Sequence, residues 1–194
     1  EAKENLDVDL DAAAEALARL VKEGKAKLEK WDAAVDSFIN RVQFLASQYP
    51  EYEISPFDED SRVLLIEQCC HGAKSVRDLK RQEVLKHIRT WFGVEIERLV
   101  ESEAPERLKL TNGRTARIRY EPGERPVLSA KIQELYDLDK TPTLCQGRCR
   151  PMIELLGPNR RPVQLTDNLE AFWTTSYPNI KKDLKGRYPK HEWR

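Results

Sequence analysis

The sequence has few glycines, little sulfur and no long apolar run. Of its 194 residues only eight are glycine, four are cysteine and one is methionine. No apolar run approaches the roughly 18–20 residues that a membrane-spanning helix needs, so no membrane partner is expected. The N-terminus is acidic and lacks the apolar core of a secretory signal. With its low cysteine density, the chain is expected to be a reduced, cytoplasmic protein.

Motifs of nucleotide-dependent and hydrolytic enzymes are also missing. The sequence contains no Gly-x-x-x-x-Gly-Lys-Ser/Thr phosphate loop, no Gly-x-Gly-x-x-Gly fingerprint and no Gly-x-Ser-x-Gly elbow. Its three histidines are scattered, without a His-Glu-x-x-His pair. We therefore expect no catalytic residues, no bound cofactor and no enzymatic activity in this chain.

The cysteines offer one arrangement that could hold a metal. Cys69, Cys70, Cys145 and Cys149, with His71, provide soft ligands of the kind that zinc takes. Adjacent residues of a helix point about 100° apart, so Cys69 and Cys70 would rarely bind one ion together. The usual Cys-x-x-Cys spacing is absent, and the sequence favours small core thiols over a metal site.

The formal net charge of zero conceals a gradient along the chain. Residues 1–60 carry a net charge of −8, residues 61–139 a net charge of +2 and residues 140–194 a net charge of +6. This asymmetry predicts an acidic half and a basic half with different partners, and a polyanion would prefer the basic half. In the alternative, the halves neutralise each other or each charged face is simply solvated.

Residues 1–103 have the pattern of a helical region. Apolar side chains from Val35 to Leu45 recur at helical spacing and predict a helix over about residues 32–47. Further helices are predicted around residues 12–20, 63–70, 83–92 and 94–100. The helical pattern ends at Ala104–Pro105, where we place the boundary of a second region.

Residues 104–194 predict a small module of short antiparallel hairpins and helices, so the expected fold class is α+β. Polar and apolar residues alternate on both sides of Asn112–Gly113, which is a strong hairpin signal. A second hairpin is expected at residues 157–159, between strands at 152–156 and 162–165. Helices are predicted at residues 127–136, 169–176 and 178–184.

The candidate nucleic-acid-binding residues lie between residues 160 and 194. Single-stranded nucleic acid is bound by cations that contact phosphates and by aromatic rings that stack on bases. The residues of this kind, which we call the basic-aromatic set, are Arg160, Arg161, Lys181, Lys182, Lys185, Arg187, Tyr188, Lys190 and Trp193. The alternatives are a solvated face for the cations and core packing for rings such as Trp173.

The same end of the chain carries a long and unusual motif. The motif, together with matching segments further upstream, consists of Trp31-Asp32, Ala104-Pro105-Glu106-Arg107, Gln133-Glu134-Leu135, Phe172-Trp173, Tyr177-Pro178, Lys181-Lys182 and the ending Gly186-Arg-Tyr-Pro-Lys-His-x-Trp193. Over about residues 12–194, they resemble the C-terminal signature of the bacterial HrpB family of DEAH-type ATP-dependent helicases. Glu192 departs from the proline that this family is expected to have before Trp193.

The resemblance implies a role beside a motor. In that family, the domains that bind ATP and Mg²⁺ lie N-terminal to the matching region. The only methionine is Met152 and the first residue is Glu1, so we expect a piece of a longer protein. The resemblance therefore implies a non-catalytic C-terminal accessory region of an RNA helicase, whose partners are the motor domains of the same polypeptide and single-stranded RNA. The alternative is a protein-interaction or scaffold module, which docks on the motor or on a partner protein.

Overall fold

The structure, a computed structural model, describes residues 9–194, and it confirms the α+β class with seven helices and a five-stranded sheet among these residues. The first eight residues of the predicted helical region lie outside the described part. Two compact units are present. We call residues 9–39 with 54–98 the helical unit, and residues 40–53 with 99–194 the sheet unit.

The helical unit is built from amphipathic helices. Its elements are α1 (Leu10–Lys22), α2 (Ala33–Gln48) as far as Ile39, α3 (Glu59–Cys70), α4 (Val76–Leu79) and α5 (Val84–Glu103) as far as Arg98. Helix α1 begins where the Asp9 carboxylate accepts hydrogen bonds from the backbone N–H groups of Asp11 and Ala12. Such a cap satisfies donors that the first turn of a helix leaves unpaired.

The apolar stripe predicted for α2 is confirmed. Val35, Phe38, Val42 and Leu45 are each at most 1% exposed. The Asp32 carboxylate caps the helix, since it accepts hydrogen bonds from the backbone N–H groups of the second and third residues of α2, at 3.0 and 3.3 Å. Helical spacing therefore placed the buried side of this helix correctly.

Helix α5 is interrupted at the point where the sequence separates two predicted helices. Gly93 has φ 84° and ψ 162°, which lies outside the helical region and is nearly restricted to glycine. The helical segments on either side meet at this break, so the predictions for residues 83–92 and 94–100 correspond to the two parts of α5.

The sheet unit contains one mixed sheet. Its strands are β1 (Arg107–Lys109), β2 (Thr115–Arg119), β3 (Val127–Lys131), β4 (Met152–Leu156) and β5 (Pro162–Thr166). They lie side by side in chain order. Strands β3 and β4 pair in parallel, whereas every other pair is antiparallel. The parallel pair requires a crossover, which residues 132–151 provide.

The predicted turn at Asn112–Gly113 is present between β1 and β2. Gly113 has φ 81°, and its N–H donates to the carbonyl oxygen of Leu110 at 2.9 Å. The Asn112 side-chain amide donates to the carbonyl oxygens of Glu134 and Tyr136, at 3.0 and 2.8 Å. Glycine thus supplies the positive φ, while asparagine ties the turn to the crossover.

The helix predicted over residues 127–136 is wrong. These residues form β3, followed by a 3-10 turn at Ile132–Leu135. Leu128 and Ala130 are buried while their neighbours are half-buried, which is the alternation of a strand with one face on the core. Strand β3 pairs with both β2 and β4. The alternation covers only five residues, and the β4 partner lies more than twenty residues further along the chain, so the local pattern gave little signal for this central strand.

Two helices follow the sheet. The helix predicted over residues 169–176 is present as α6 (Leu169–Thr175), and the Asn168 side chain caps it by accepting a hydrogen bond from the N–H of Ala171 at 2.9 Å. Helix α7 (Tyr177–Arg187) begins with a proline in its first turn, as the sequence predicts. No helix within residues 9–194 is both long and apolar enough to cross a bilayer.

The compact units differ from a linear division into residues 1–103 and 104–194. The second half of α2 and the end of α5 group with the sheet. Arg41 shows why, since its guanidinium donates to the carbonyl oxygens of Ala104 and Val100 at 2.6 and 3.4 Å and pairs with Glu101 at 3.0 Å. The sequence pattern marks where helices give way to strands, but it does not show which helical segments share a core with the sheet.

Candidate nucleic-acid interface

Three lysines of the basic-aromatic set lie on one side of α7. At about 100° per residue, Lys181, Lys182 and Lys185 fall within an arc of about 100°. Tyr177 and Leu184 of the same helix are buried. Lys182 and Lys185 are exposed and Lys181 is half-buried at the edge of the packed side. The helix therefore presents a short cationic face to solvent.

The arginines of the set are not all part of that face. Arg187 is exposed, but helical geometry places it at least about 120° from each of the three lysines. Arg160 and Arg161 are exposed in the turn between β4 and β5, where Arg160 has φ 61° and its N–H donates to the Gly157 carbonyl oxygen at 2.9 Å. The hairpin predicted there is confirmed, and it holds two cations at its tip.

The two aromatic members of the set belong to one turn after α7. The Trp193 indole N–H donates to the carbonyl oxygen of Tyr188 at 2.9 Å. The ring of Tyr188 lies edge-on to His191, with centroids 6.0 Å apart. Both Tyr188 and Trp193 are half-buried, so only part of each ring surface is open to a stacking base.

The end of the chain is fixed to the crossover by Arg194. Its guanidinium pairs with Asp137 at 2.5 Å and lies over the ring of Tyr136, 5.1 Å from the centroid. The backbone carbonyl of Glu192 accepts a hydrogen bond from the Tyr136 hydroxyl at 3.3 Å. These contacts give the basic-aromatic tail a defined path along the sheet unit.

Trp173 illustrates the core alternative that the sequence left open for aromatic residues. Its indole N–H donates to the Leu138 carbonyl oxygen at 3.3 Å, and its ring centroid lies 5.0 Å from that of Tyr177. The ring is half-buried within an aromatic cluster with Tyr136 and Phe172. It is therefore part of the packing rather than of the candidate interface.

The cations of the basic-aromatic set are not neutralised by carboxylates. None of the seven lies within 4.0 Å of a carboxylate oxygen among residues 9–194. In contrast, three other arginines of the sheet unit, Arg125, Arg148 and Arg194, are each paired with an acidic side chain. A cation without a carboxylate partner can contact an external anion without first giving up an ion pair.

Five more cations, which the sequence pattern did not single out, share the outer face of the sheet. Residues directly opposite each other in a sheet lie on one face, and the register places Arg107 opposite Arg117 and Arg117 opposite Ser129. We call the resulting group the outer-face set, and its members are Arg107, Lys109, Arg117, Arg119 and Lys131. The sequence signal that could have identified this set is the alternation Arg-x-Lys in β1 and Arg-x-Arg in β2. In a strand, every second side chain lies on the same face.

The neutral form of two of the buried thiols is favoured. Burial raises the pKa of Cys69 to about 12, with a smaller contribution from Cys70. Burial likewise raises the pKa of Cys145 to about 12. Nucleophilic attack needs the thiolate, which is scarce at neutral pH for such groups. Residues 9–194 contain no cluster of three or more potential metal ligands.

Comparison with known proteins places the chain in a family. Residues 65–194 match the family described as ATP-dependent helicase C-terminal. The chain is also similar to the ATP-dependent RNA helicase HrpB of Escherichia coli strain K12, with 32% identity over 167 residues. This similarity covers 84% of the chain and 21% of the helicase, so the chain spans about a fifth of this relative's length.

Solved structures support the same relationship. The crystal structure of the E. coli DExH-box NTPase HrpB matches with a TM-score of 0.82 and 29% identity, over 93% of this chain and 23% of that one. A second crystal structure, of the E. coli DEAH/RHA helicase HrpB, matches with a TM-score of 0.76 and 28% identity, over 97% and 24%. The expected resemblance is thereby confirmed, and the chain belongs to the ATP-dependent helicase C-terminal family.

Proposed function

We propose that the chain is a non-catalytic accessory region of an ATP-dependent RNA helicase, and that it assists nucleic-acid binding by the motor domains of the same polypeptide. Family membership supports the first part, since the match lies in the C-terminal part of helicases. In this proposal the chain itself binds neither ATP nor Mg²⁺, because its sequence has no phosphate loop. A cytoplasmic location accords with this role and with the four free cysteines.

One observation carries the nucleic-acid part of the proposal, namely the unpaired state of the basic-aromatic cations. A lysine already paired with a carboxylate must give up that partner to bind phosphate. The seven cations have no such partner within 4.0 Å among residues 9–194, and six of them are exposed. Binding to a phosphate backbone would then release condensed counterions without breaking protein ion pairs.

The charges should contribute more than the rings. Tyr188 and Trp193 are half-buried, and the Trp193 indole N–H is already bonded within the chain. Stacking on an exposed ring contributes roughly 1–3 kcal/mol per base, and a partly covered ring gives the lower end of this range. We therefore expect modest affinity, strong salt dependence and little preference among RNA sequences.

A titration with labelled single-stranded RNA tests the proposal. With three or four phosphates contacted, the logarithm of affinity should fall with the logarithm of salt concentration at a slope of roughly −2 to −3. The double change Lys182→Glu with Arg187→Glu should weaken binding for all RNA sequences alike and flatten the slope. The matched control, Lys27→Glu with Lys74→Glu, alters two exposed lysines of the helical unit by the same charge. RNA binding that is absent at low salt, or equal in both double variants, contradicts this assignment.

Tyr188→Ala separates stacking from charge. If the ring contacts a base, affinity should fall, while the salt slope stays unchanged because no phosphate contact is lost.

An ATPase assay of the same purified chain, with and without RNA, should show no turnover. Turnover that follows this polypeptide through purification would contradict a non-catalytic role.

A protein-interaction module is the second candidate, and the surface of the helical unit favours it. Trp91, Val94 and Leu64 are 38%, 57% and 52% exposed, and large exposed apolar side chains are common where proteins meet. In this case, Trp91→Ser with Val94→Ser should weaken binding to the separately purified motor domains. The same change should leave RNA affinity unaltered.

A further inference from the structure

The outer face of the sheet consists of a cationic half and a mostly apolar half, which we call the apolar half and which contains one carboxylate. Strands β1 and β2 contribute four members of the outer-face set, Arg107, Lys109, Arg117 and Arg119, all of them exposed. On the same face, β4 and β5 contribute the apolar side chains Met152, Leu156 and Leu165, and Leu165 is 56% exposed. Strand β4 also places Glu154 on this face, where its half-buried carboxylate accepts a hydrogen bond from the Ser129 hydroxyl at 2.6 Å. Strand β3 lies between the two halves and adds Lys131.

The cationic half holds an excess of positive charge. Arg107 and Arg117 lie directly opposite each other, and like charges in that position destabilise a sheet. Within residues 9–194, only Arg119 of the outer-face set has a carboxylate within 4.0 Å, the Glu121 side chain at 3.7 Å. An external polyanion would remove the repulsion between these side chains.

The spacing of the cations suits a chain of regularly spaced anions. Residues two apart on a strand are about 6.8 Å apart, and neighbouring strands are about 4.8 Å apart. Arg107 and Lys109 on β1, with Arg117 and Arg119 on β2, therefore form a small grid. No aromatic ring belongs to this face, so recognition of individual bases by stacking is not expected there.

We propose that the outer face binds a single strand of nucleic acid, with phosphates on the cationic half and bases against the apolar half. A single strand carries its charges along one edge and flat, largely apolar rings along the other, which matches the two halves of the face. An acidic protein segment would satisfy the arginines but would leave Leu165 and its neighbours without a regular apolar partner. The inference rests on the proposed function for its ligand class, but it assigns a site that the basic-aromatic set does not contain.

Charge neutralisation on the sheet provides the main test. Arg117→Gln with Arg119→Gln removes two charges from exposed strand positions and keeps the side chains long and polar. Affinity for a labelled oligouridylate, measured by fluorescence anisotropy, should fall roughly 5- to 25-fold at about 0.1 M salt, and the salt slope should become less steep by about 1.4. The matched control, Lys27→Gln with Lys74→Gln, should change neither quantity. Arg117→Lys with Arg119→Lys should keep most of the affinity, since phosphate contact needs only the charge.

The apolar half is tested by Leu165→Ser, which should lower affinity a few-fold and leave the salt slope unchanged.

Binding that is insensitive to all outer-face changes but falls in Lys182→Glu with Arg187→Glu overturns this inference and leaves the proposed function standing. If the chain binds no RNA at all, the proposed function fails as well. Binding of polyglutamate in place of oligouridylate, lost on the Arg117→Gln and Arg119→Gln change, would identify an acidic protein as the partner and overturn the inference. Circular dichroism and thermal unfolding confirm that each variant is folded.

Discussion

The helical unit and the sheet unit use their charged side chains differently. In the helical unit, lysines and glutamates from different parts of the chain pair with each other, as in Lys22 with Glu67 at 2.9 Å and Lys80 with Glu29 at 3.2 Å. In the sheet unit, the basic-aromatic set and most of the outer-face set have no carboxylate partner within 4.0 Å among residues 9–194. The helical unit also has exposed lysines without a carboxylate within 4.0 Å among residues 9–194, such as Lys27 and Lys74, so the two units differ in how their unpaired cations are grouped on the surface.

The units also differ in the number of buried groups that ionise at alkaline pH. This difference gives the largest expected effect on the free energy of unfolding. Burial raises the pKa values of Cys69 and Cys70 in the helical unit. In the sheet unit, burial followed by the Glu103 hydrogen bond raises the pKa of Tyr49 to about 12, and burial also raises the pKa values of Tyr120 and Tyr177. The sheet unit therefore contains more groups whose neutral form is favoured by folding.

Alkaline pH should destabilise the sheet unit more than the helical unit. A group with a raised folded-state pKa contributes stability that is complete below its unfolded value, near pH 9 or 10, and is lost as the pH rises toward the folded value. Each unit of pKa shift corresponds to about 1.4 kcal/mol for a fully buried group. Urea unfolding between about pH 8 and about pH 11 should show a steep loss. Cys69→Ala and Tyr120→Phe should each reduce that loss, and an unchanged pH profile in both would contradict this explanation.

Arg41→Met tests the one buried arginine of the sheet unit. Its side chain is 4% exposed, and its removal takes away the guanidinium donor to the Ala104 carbonyl oxygen, whereas the Val100 carbonyl oxygen still accepts from the Ala104 N–H at 3.0 Å. The free energy of unfolding should fall by about 2–4 kcal/mol. The control is Arg125→Met, which breaks the exposed Asp167 pair and should cost less than about 1 kcal/mol. Equal losses in the two variants would show that burial of Arg41 is unimportant.

Alanine substitutions at two glycines test the backbone strain in the two units. Gly93 and Gly113 have φ values of 84° and 81°, and a Cβ added at either residue would have no atom within 4 Å, so alanine at either site tests the backbone alone. Gly93→Ala in α5 should cost about 1–3 kcal/mol, because its ψ of 162° lies in a region nearly closed to other residues. Gly113→Ala should cost about 1–2 kcal/mol. Thermal unfolding measures both, and a greater loss at Gly113 would contradict this order.

The exposed ion pairs of the helical unit should have the smallest effect. Lys22→Gln breaks the pair with Glu67, in which the two side chains are 36% and 48% exposed. The expected loss in the free energy of unfolding is at most about 1 kcal/mol, and it should shrink at high salt. RNA affinity should stay the same. A fall in RNA affinity as large as that of the sheet variants would show that paired and unpaired lysines are equivalent here.

Local patterns predicted the elements whose partners are near in sequence. The stripe from Val35 to Leu45, the turn at Asn112–Gly113 and the strands β4 and β5 were all predicted from spacing within about fifteen residues. Strand β3 was not predicted, because Leu128 and Ala130 alternate over only five residues and one of the two partner strands of β3, namely β4, comes after the crossover. The affiliation of the second half of α2 with the sheet escaped prediction for the same reason, since Arg41 meets Ala104 across a large separation in sequence.

The candidate sites show the same limit. The basic-aromatic set could be selected because its residues are dense in one stretch, and it remains a prediction. The outer-face set could not, because Arg107, Arg117 and Lys131 come together only through strand register. The alternating pattern indicated that each arginine of β2 faces away from the core, but not which other strands would place cations beside it.

The single parallel pairing between β3 and β4 has a consequence for the order of folding. Strands β1, β2 and β3 form a meander with short connections, and β4 with β5 forms a separate hairpin, so each part closes small loops. Joining them brings Leu128 beside Ile153 and requires closure of the whole crossover. Non-local pairings of this kind form slowly compared with hairpins. The pairing of β3 with β4 should therefore limit the refolding rate of the sheet unit. Truncating the Ile153 side chain should then slow refolding, whereas changes within the β1–β2 turn should chiefly accelerate unfolding.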